Sequence, residues 1–341
     1  MEEGRTMTLP ASIARRLRLP LIAAPMLKVS GPELVIAACR SGVIGAFPTA
    51  NAQGEGTLDV WLTQIMSALG ATPGQVREAA PCCPNLIVHR SPEALARDIE
   101  CIVRHRVEMV ITSVGSPAPV IEPLHAAGCL VFADVGSLLH ARKAIAAGAD
   151  GLVLLTAGAG GQTGWLNGFA FVRAVRAFYD GPLVLAGGIA DGTALWAARA
   201  LGCDLGYMGT KFIATNESMA AAGYKQMLVE AQPDDIQLTR AFSGLAANML
   251  RPSIVAAGLD PDALDESITP ARSRELFGAS REKFTDTRER FGPQRWRDVW
   301  SAGHSVGGVD AVRPVAQLID RTEAEYRAAA QCSAVLARQA G

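Results

Sequence analysis

The run Thr156-Ala157-Gly158-Ala159-Gly160-Gly161-Gln162-Thr163-Gly164 sits directly after the apolar stretch Gly151 to Leu155. Glycines carry no Cβ and tolerate positive φ, so such a segment lets backbone approach a ligand closely and reads as a binding loop. Gln162 stands in its middle; a carboxamide donates and accepts hydrogen bonds but has no pKa useful for proton transfer. Two further glycine-marked sites follow, Gly187-Gly188 after Leu183 to Ala186 and Gly209-Thr210 after Leu205 to Met208. Backbone N–H groups and a hydroxyl so placed bind an anion such as a phosphate ester, although the same glycines also suit tight strand-to-helix turns. Their positions favour a phosphorylated cofactor.

Asn85 lies between Cys82-Cys83-Pro84 and the apolar Leu86-Ile87-Val88 and is read as preceding a strand. Its amide suits either the pyrimidine edge of a flavin or an ordinary turn. Asp134 closes the run Leu130 to Ala133; it is kept as a substrate or cofactor contact, with the N-cap of the next helix, at Gly136-Ser137, the favoured role. Gly303-His304-Ser305-Val306-Gly307 has the G-x-S-x-G form of a nucleophile elbow. No histidine follows Ser305 and no apolar strand precedes it, so small-residue packing is the better reading. The seven cysteines are odd in number with no C-x-x-C pair, and the five histidines never stand three or four residues apart, so no disulfide framework and no metal are expected.

These residues need a scaffold that gathers distant loops. Eight apolar runs supply one: Leu21 to Ala24, Gly42 to Ala46, Leu86 to Val88, Met109 to Thr112, Leu130 to Ala133, Leu152 to Leu155, Leu183 to Ala186 and Leu205 to Met208. They lack polar alternation, as strands covered on both faces do, and alternate with helical segments such as Pro92 to Ile99 and Leu138 to Ile145. Glycine follows several helices, at Ala127-Gly128, Ala147-Gly148 and Leu201-Gly202, where a C′ residue belongs. Eight such units within residues 1–214 predict an α/β fold, a (β/α)8 TIM barrel, rather than an open doubly wound sheet. Its active face is at the C-terminal strand ends, where the glycine-rich loops fall. After Thr215 the rhythm stops. Residues 215–299 turn helical and charged, from Arg240-Ala241-Phe242-Ser243 to Arg288 through Gly292, and predict an inserted helical cap; residues 300–341 return to the barrel and end in an amphipathic helix. Phe242, Met249, Leu250 and Ile254 are read as an apolar cap surface for a bulky substrate.

Of 341 residues 49% are hydrophobic, ample for a large core. Lys+Arg 32 against Asp+Glu 33 leave a net charge of -1, which argues against nucleic acid or an anionic membrane as partner. No apolar run reaches the roughly 18 to 20 residues of a membrane helix, and Met1-Glu2-Glu3-Gly4-Arg5 lacks a secretory pattern. A cytoplasmic enzyme acting on a small molecule is expected, with a homodimer left open as its assembly.

In chain order, Pro20 to Met26, Asn85-Leu86, Ala159 to Gly164, Ala186 to Gly192, Met208 to Phe212 and Trp300 to His304 together resemble the nitronate monooxygenase (2-nitropropane dioxygenase-like) family of FMN-dependent barrel oxidoreductases. The resemblance covers most of the chain, and the ordered set is more specific than any single segment. It implies an FMN whose phosphate lies on Gly187, Gly188, Gly209 and Thr210, whose isoalloxazine packs along Ala23, Ala24, Pro25 and Met26, and whose pyrimidine edge meets Asn85. Gly160 and Gly161 then belong to the flavin-facing loop. The implied reaction is oxidation of a nitronate or similar small organic anion with O2 as acceptor. Related NAD(P)H-dependent enoyl-thioester and quinone reductases share the scaffold, so a reductase or desaturase is the alternative, and a non-catalytic flavin-binding protein is a reading of another class. Where the family places a loop histidine this chain has Gln162, and where the family has glutamine near the C-terminus it has His304. Both are candidate catalytic residues. Gln162 would orient a preformed nitronate, and His304 is either the titratable group facing the flavin or a structural histidine.

Overall fold

The computed structural model describes residues 9–70, 78–272 and 297–339. Its strands are β1 (Leu21–Ala23), β2 (Ile44–Pro48), β3 (Cys82–Ile87), β4 (Met109–Ser113), β5 (Leu130–Val135), β6 (Gly151–Leu155), the two-residue β7 (Gly161–Gln162), β8 (Leu183–Ala186) and β9 (Leu205–Met208). All but β7 pair in parallel and close into a barrel, β9 returning to β1. This is the (β/α)8 barrel read from the rhythm.

Inside the barrel alternate residues meet: Ile22, Ala46, Cys83, Ile111, Phe132, Val153, Ala186 and Tyr207 belong to one apolar cluster. Strand side chains alternate faces, so two residues further along the same inward face carries Ala24, Pro48, Asn85, Ser113, Asp134 and Leu155 at the C-terminal mouth. The opposite face, with Leu21, Ala23, Ala133, Leu152 and Leu154, packs against the helices. Those helices start where local chemistry dictates. Ser91 caps Pro92–Arg104 by accepting from Ala94 N, and Asp191 caps Gly192–Leu201 by accepting from Ala194 N. The long C-terminal helix Val315–Gln339 lies against the latter so closely that a Cβ on Gly192 would meet Thr322 O at 2.1 Å.

Beyond the barrel come the helix Ala222–Glu230, strands β10 (Ile236–Thr239) and β11 (Ala247–Leu250), and the helix Arg251–Ala256. β11 pairs antiparallel with both β10 and β7, so the glycine-rich loop after β6 is itself the third strand of the cap sheet. The reading of this region as helical is amended accordingly; strands of four residues are too short to announce a period. The Arg288 to Gly292 part of that reading lies outside the described residues. Phe242, Met249 and Ile254 are buried together with Val299 in the cap's own core, and Leu250 packs with Tyr224 and Val306. They are not a substrate surface. A three-stranded sheet this small needs its apolar side chains for its own stability. Among the described residues no helix is long and apolar enough to cross a membrane.

Candidate active site

The barrel mouth opens into a cavity of about 1570 Å3 beneath the cap. Ligand pockets commonly span roughly 300–1,000 Å3, so this one has room for a cofactor and a substrate together. It is lined by Ala24, Pro25, Met26, Asn85, Asp134, Gly160, Gly161, Gln162, Gly187, Gly188, Gly209 and Thr210, which the chain brings from the ends of six barrel strands. Ala23 is not among them, because parity turns it outward to the helices.

Two glycines make a cradle. Gly187 has φ +117°, and a Cβ there would meet Thr156 Oγ1 at 2.4 Å and Ala159 N at 2.7 Å. Gly188 has φ +75°, and its missing Cβ would point into open space. Across from them, Thr210 Oγ1 accepts the Gly303 N–H at 3.0 Å, which leaves its own proton for a ligand oxygen. A buried hydroxyl donor at one strand end and, at the neighbouring one, a glycine whose backbone stays uncovered are what a phosphate needs. The helix that begins at Thr210 is a single turn, Thr210–Ile213, so the fit rests on these donors rather than on a helix dipole.

The glycine loop is held from two sides. Gly158 O accepts from His304 N at 3.0 Å, and a Cβ on Gly160 would stand 2.7 Å from Gly303 N, so backbone packs on backbone. From the cap, the buried Asn248 donates both amide hydrogens, to Ala157 O and Ala159 O, each at 2.7 Å. Sequence reading missed Asn248, because its partners are some ninety positions away. Asn248→Ala orphans two buried carbonyls, each worth about 1–3 kcal/mol. The expected result is a lower urea midpoint and a loop cleaved faster by protease, with Asn248→Asp worse still because a carboxylate faces two carbonyl oxygens.

Asn85 lies inside β3 rather than before it. Its Nδ2 donates to Ile111 O at 3.3 Å and its Oδ1 accepts from Ser113 Oγ at 3.1 Å, which aims the amide's remaining donor and acceptor capacity at the cavity. Asp134 is not a helix cap. Ser137 fills that role, its Oγ accepting from His140 N, while Asp134 stands within β5 on the inward face. Its Oδ1 is buried with no hydrogen-bond partner, and burial pushes the carboxyl up to about 7.

Gln162 lines the cavity from the exposed edge of β7, paired through its backbone with Ala247. His304 does not line it. The residue opens a 3-10 turn, is exposed, and its Nδ1 lies 3.5 Å from the point a Cβ on Gly158 would occupy, a point 3.3 Å from Gly188 N. The predicted pair is thus divided: Gln162 lines the cavity, and His304 stands against Gly158 of the loop without lining it. Ser305 of the G-x-S-x-G segment is buried, with no histidine bonded to it among the described residues.

Away from the mouth, Asp59 from one helix meets Cys101 and His105 from the next, their ligand-type atoms lying within 4.8 Å of one another. The Cys101–His105 spacing of four residues was a signal that counting histidines alone overlooked. Asp59 is already engaged there, by His105 Nε2 at 2.8 Å and Arg104 Nη1 at 3.0 Å.

With this geometry in view, comparison with known proteins is direct. The nitronate monooxygenase family model matches residues 75–321. A nitronate monooxygenase of Paraburkholderia phytofirmans is 28% identical over 295 residues, covering 74% of this chain and 78% of the relative. A (3aS,4S,5R,7aS)-5-hydroxy-7a-methyl-1-oxo-octahydro-1H-indene-4-carboxyl-CoA dehydrogenase of Rhodococcus jostii is 28% identical over 260 residues, covering 76% and 70%. Among solved structures, FabK from Thermotoga maritima superposes with a TM-score of 0.78 at 25% identity, covering 96% of this chain and 100% of that one. A barrel, a glycine cradle at its last two strand ends and a family match over most of the chain agree: the chain belongs to the nitronate monooxygenase family.

Proposed function

We propose that the protein is an FMN-dependent oxidoreductase that oxidises a nitronate or similar small organic anion, with O2 as acceptor. The observation that carries this reading is Gly188, whose backbone no side chain covers, together with the buried Thr210 hydroxyl, both lining one large cavity. Gly187, Gly188, Gly209 and Thr210 would hold the phosphate, Ala24 to Met26 with Gly160 and Gly161 would flank the ring system, and Asn85 would meet its polar edge. Bound there, FMN supplies a two-electron acceptor for the substrate and a centre that O2 can reoxidise. The protein's part is placement. Gln162 is free among the described residues to donate its amide hydrogens to an anionic oxygen, and the cap sheet holds it at the mouth through its pairing with Ala247.

A second reading has its own support. The cavity continues outward past Ser116 and Pro117 to His140 and Lys143, exposed side chains suited to the phosphate of a carrier-linked thioester. The purified protein is expected to be yellow and to bleach anaerobically with ethyl nitronate but not with NADH. Bleaching by NAD(P)H alone makes it a reductase of the thioester or quinone type. A flavin that neither reagent bleaches leaves a binding protein.

A further inference from the structure

We infer that Asp134 is the proton acceptor of this site, so that the protein takes neutral carbon acids and generates the oxidisable anion itself. The inference deepens the oxidoreductase reading but concerns a step that precedes any oxidation. With a nitroalkane, the Cα–H bond breaks, its electron pair moves onto the nitro group, and the proton passes to the Asp134 carboxylate. No electron acceptor is consumed.

Geometry singles out this residue. Asp134 shares the inward face of β5 with Leu130 and Phe132, one layer above the closed interior, and its Oδ1 is buried without a partner. The other titratable side chains lining the cavity are His89, His140, Lys143, Tyr207 and Tyr224. His89, His140 and Lys143 stand exposed on the rim. Burial pushes the Tyr207 phenol far up and the Tyr224 phenol to about 12, so neither is a base near neutrality. Tyr207 from β9 and Cys83 from β3 are the titratable groups near enough to feel the carboxyl's charge; burial holds both neutral, and among the described residues no ion pair ties the carboxylate down. Burial also lifts the carboxyl to about 7, where protonated and ionised forms coexist, as general-base work requires. Gln162 cannot do this work, and His304 lies outside the cavity.

The test is anaerobic wash-in of solvent deuterium at the α-carbon of nitroethane, followed by proton NMR on the holoenzyme. Exchange should exceed that in buffer, rise with pH through about 7, and fall roughly 100-fold or more in the isosteric Asp134→Asn variant. Over the same range kcat/KM for preformed ethyl nitronate should fall, because an ionised Asp134 repels the anion. Infrared titration gives a readout independent of turnover: a protonated-carboxyl band lost around neutral pH in the wild type and missing from Asp134→Asn. Exchange at the wild-type rate in Asp134→Asn, its loss on His89→Gln or His140→Gln instead, or a wild type with no such band each overturns the assignment. Exchange that persists in a protein whose flavin no nitronate bleaches supports Asp134 and sinks the oxidoreductase reading. Bleaching by nitronate without any exchange does the reverse.

Discussion

Gly188→Ala is expected to yield a folded protein that has lost most of its affinity for FMN, whereas Gly187→Ala is expected to lose stability first. The two glycines are adjacent but differ in what surrounds them. A Cβ on Gly187 would lie 2.4 Å from Thr156 Oγ1 and 3.0 Å from Gly158 C, at φ +117°, so both sterics and backbone oppose it. Strain plus overpacking there should cost about 3 kcal/mol or more. At Gly188 nothing lies within 4 Å, and φ +75° alone costs an alanine about 1–2 kcal/mol. The methyl would instead occupy the open side where the phosphate is proposed to sit. Loss of one or two charge-assisted hydrogen bonds, about 1.5–3 kcal/mol each, weakens binding roughly 10- to 100-fold or more. Thermal melts of the flavin-free variants and fluorescence titration with FMN separate the two effects. A Gly188→Ala protein that purifies with its full complement of flavin rules out the cradle.

Asp134→Asn should stabilise the flavin-free protein at pH 8 and do little at pH 4. The folded carboxyl titrates at about 7, above its ordinary value of 3.8, so the native state holds a proton that the unfolded chain has released. Stability therefore falls as pH rises from about 4 to about 7, and stays low above that. About three pKa units correspond to at most ~4 kcal/mol at pH 8, an upper bound because the side chain retains some access to cavity water. Asparagine carries no such penalty, and its denaturation midpoint should change far less between the two pH values. An equal wild-type-to-variant difference at both pH values would show that Asp134 is already paired in solution. A gain in stability on removing a group that serves the reaction is the usual signature of a functional site.

Much of this was legible in the chain. The existence and order of the eight barrel strands were legible because a buried parallel strand is apolar on both faces, a composition visible without any fold; the third, read as Leu86 to Val88, begins earlier, at Cys82, because Pro84 and Asn85 interrupt its apolar run. The Gly187-Gly188 pair after the seventh barrel strand was visible for a related reason: both residues have positive φ, and at Gly187 close approach excludes a side chain as well. The same double-sided burial hid Asp134. Where both faces are apolar, no alternation marks which is inward, and a lone acid before Gly136-Ser137 looks like a helix cap. Only the register of Leu130 and Phe132 inside the barrel fixes its direction.

His304 and Asn248 show the other limit. Their neighbours along the chain say nothing of the loop they hold, and their partners Gly158, Ala157 and Ala159 lie far away in sequence. The cap sheet is assembled likewise, its third strand borrowed from the loop after β6. The sequence by itself determined the barrel, the glycines at its strand ends and the absence of a base at Gln162, all properties of local composition and backbone freedom. The tertiary structure alone decided that His304 bonds the loop at Gly158 O, that Asn248 clamps it, and that Asp134, its Oδ1 without a partner among the described residues, faces the cavity. Those outcomes depend on which strand face closes inward and on hydrogen bonds between distant segments, neither of which short-range pattern encodes.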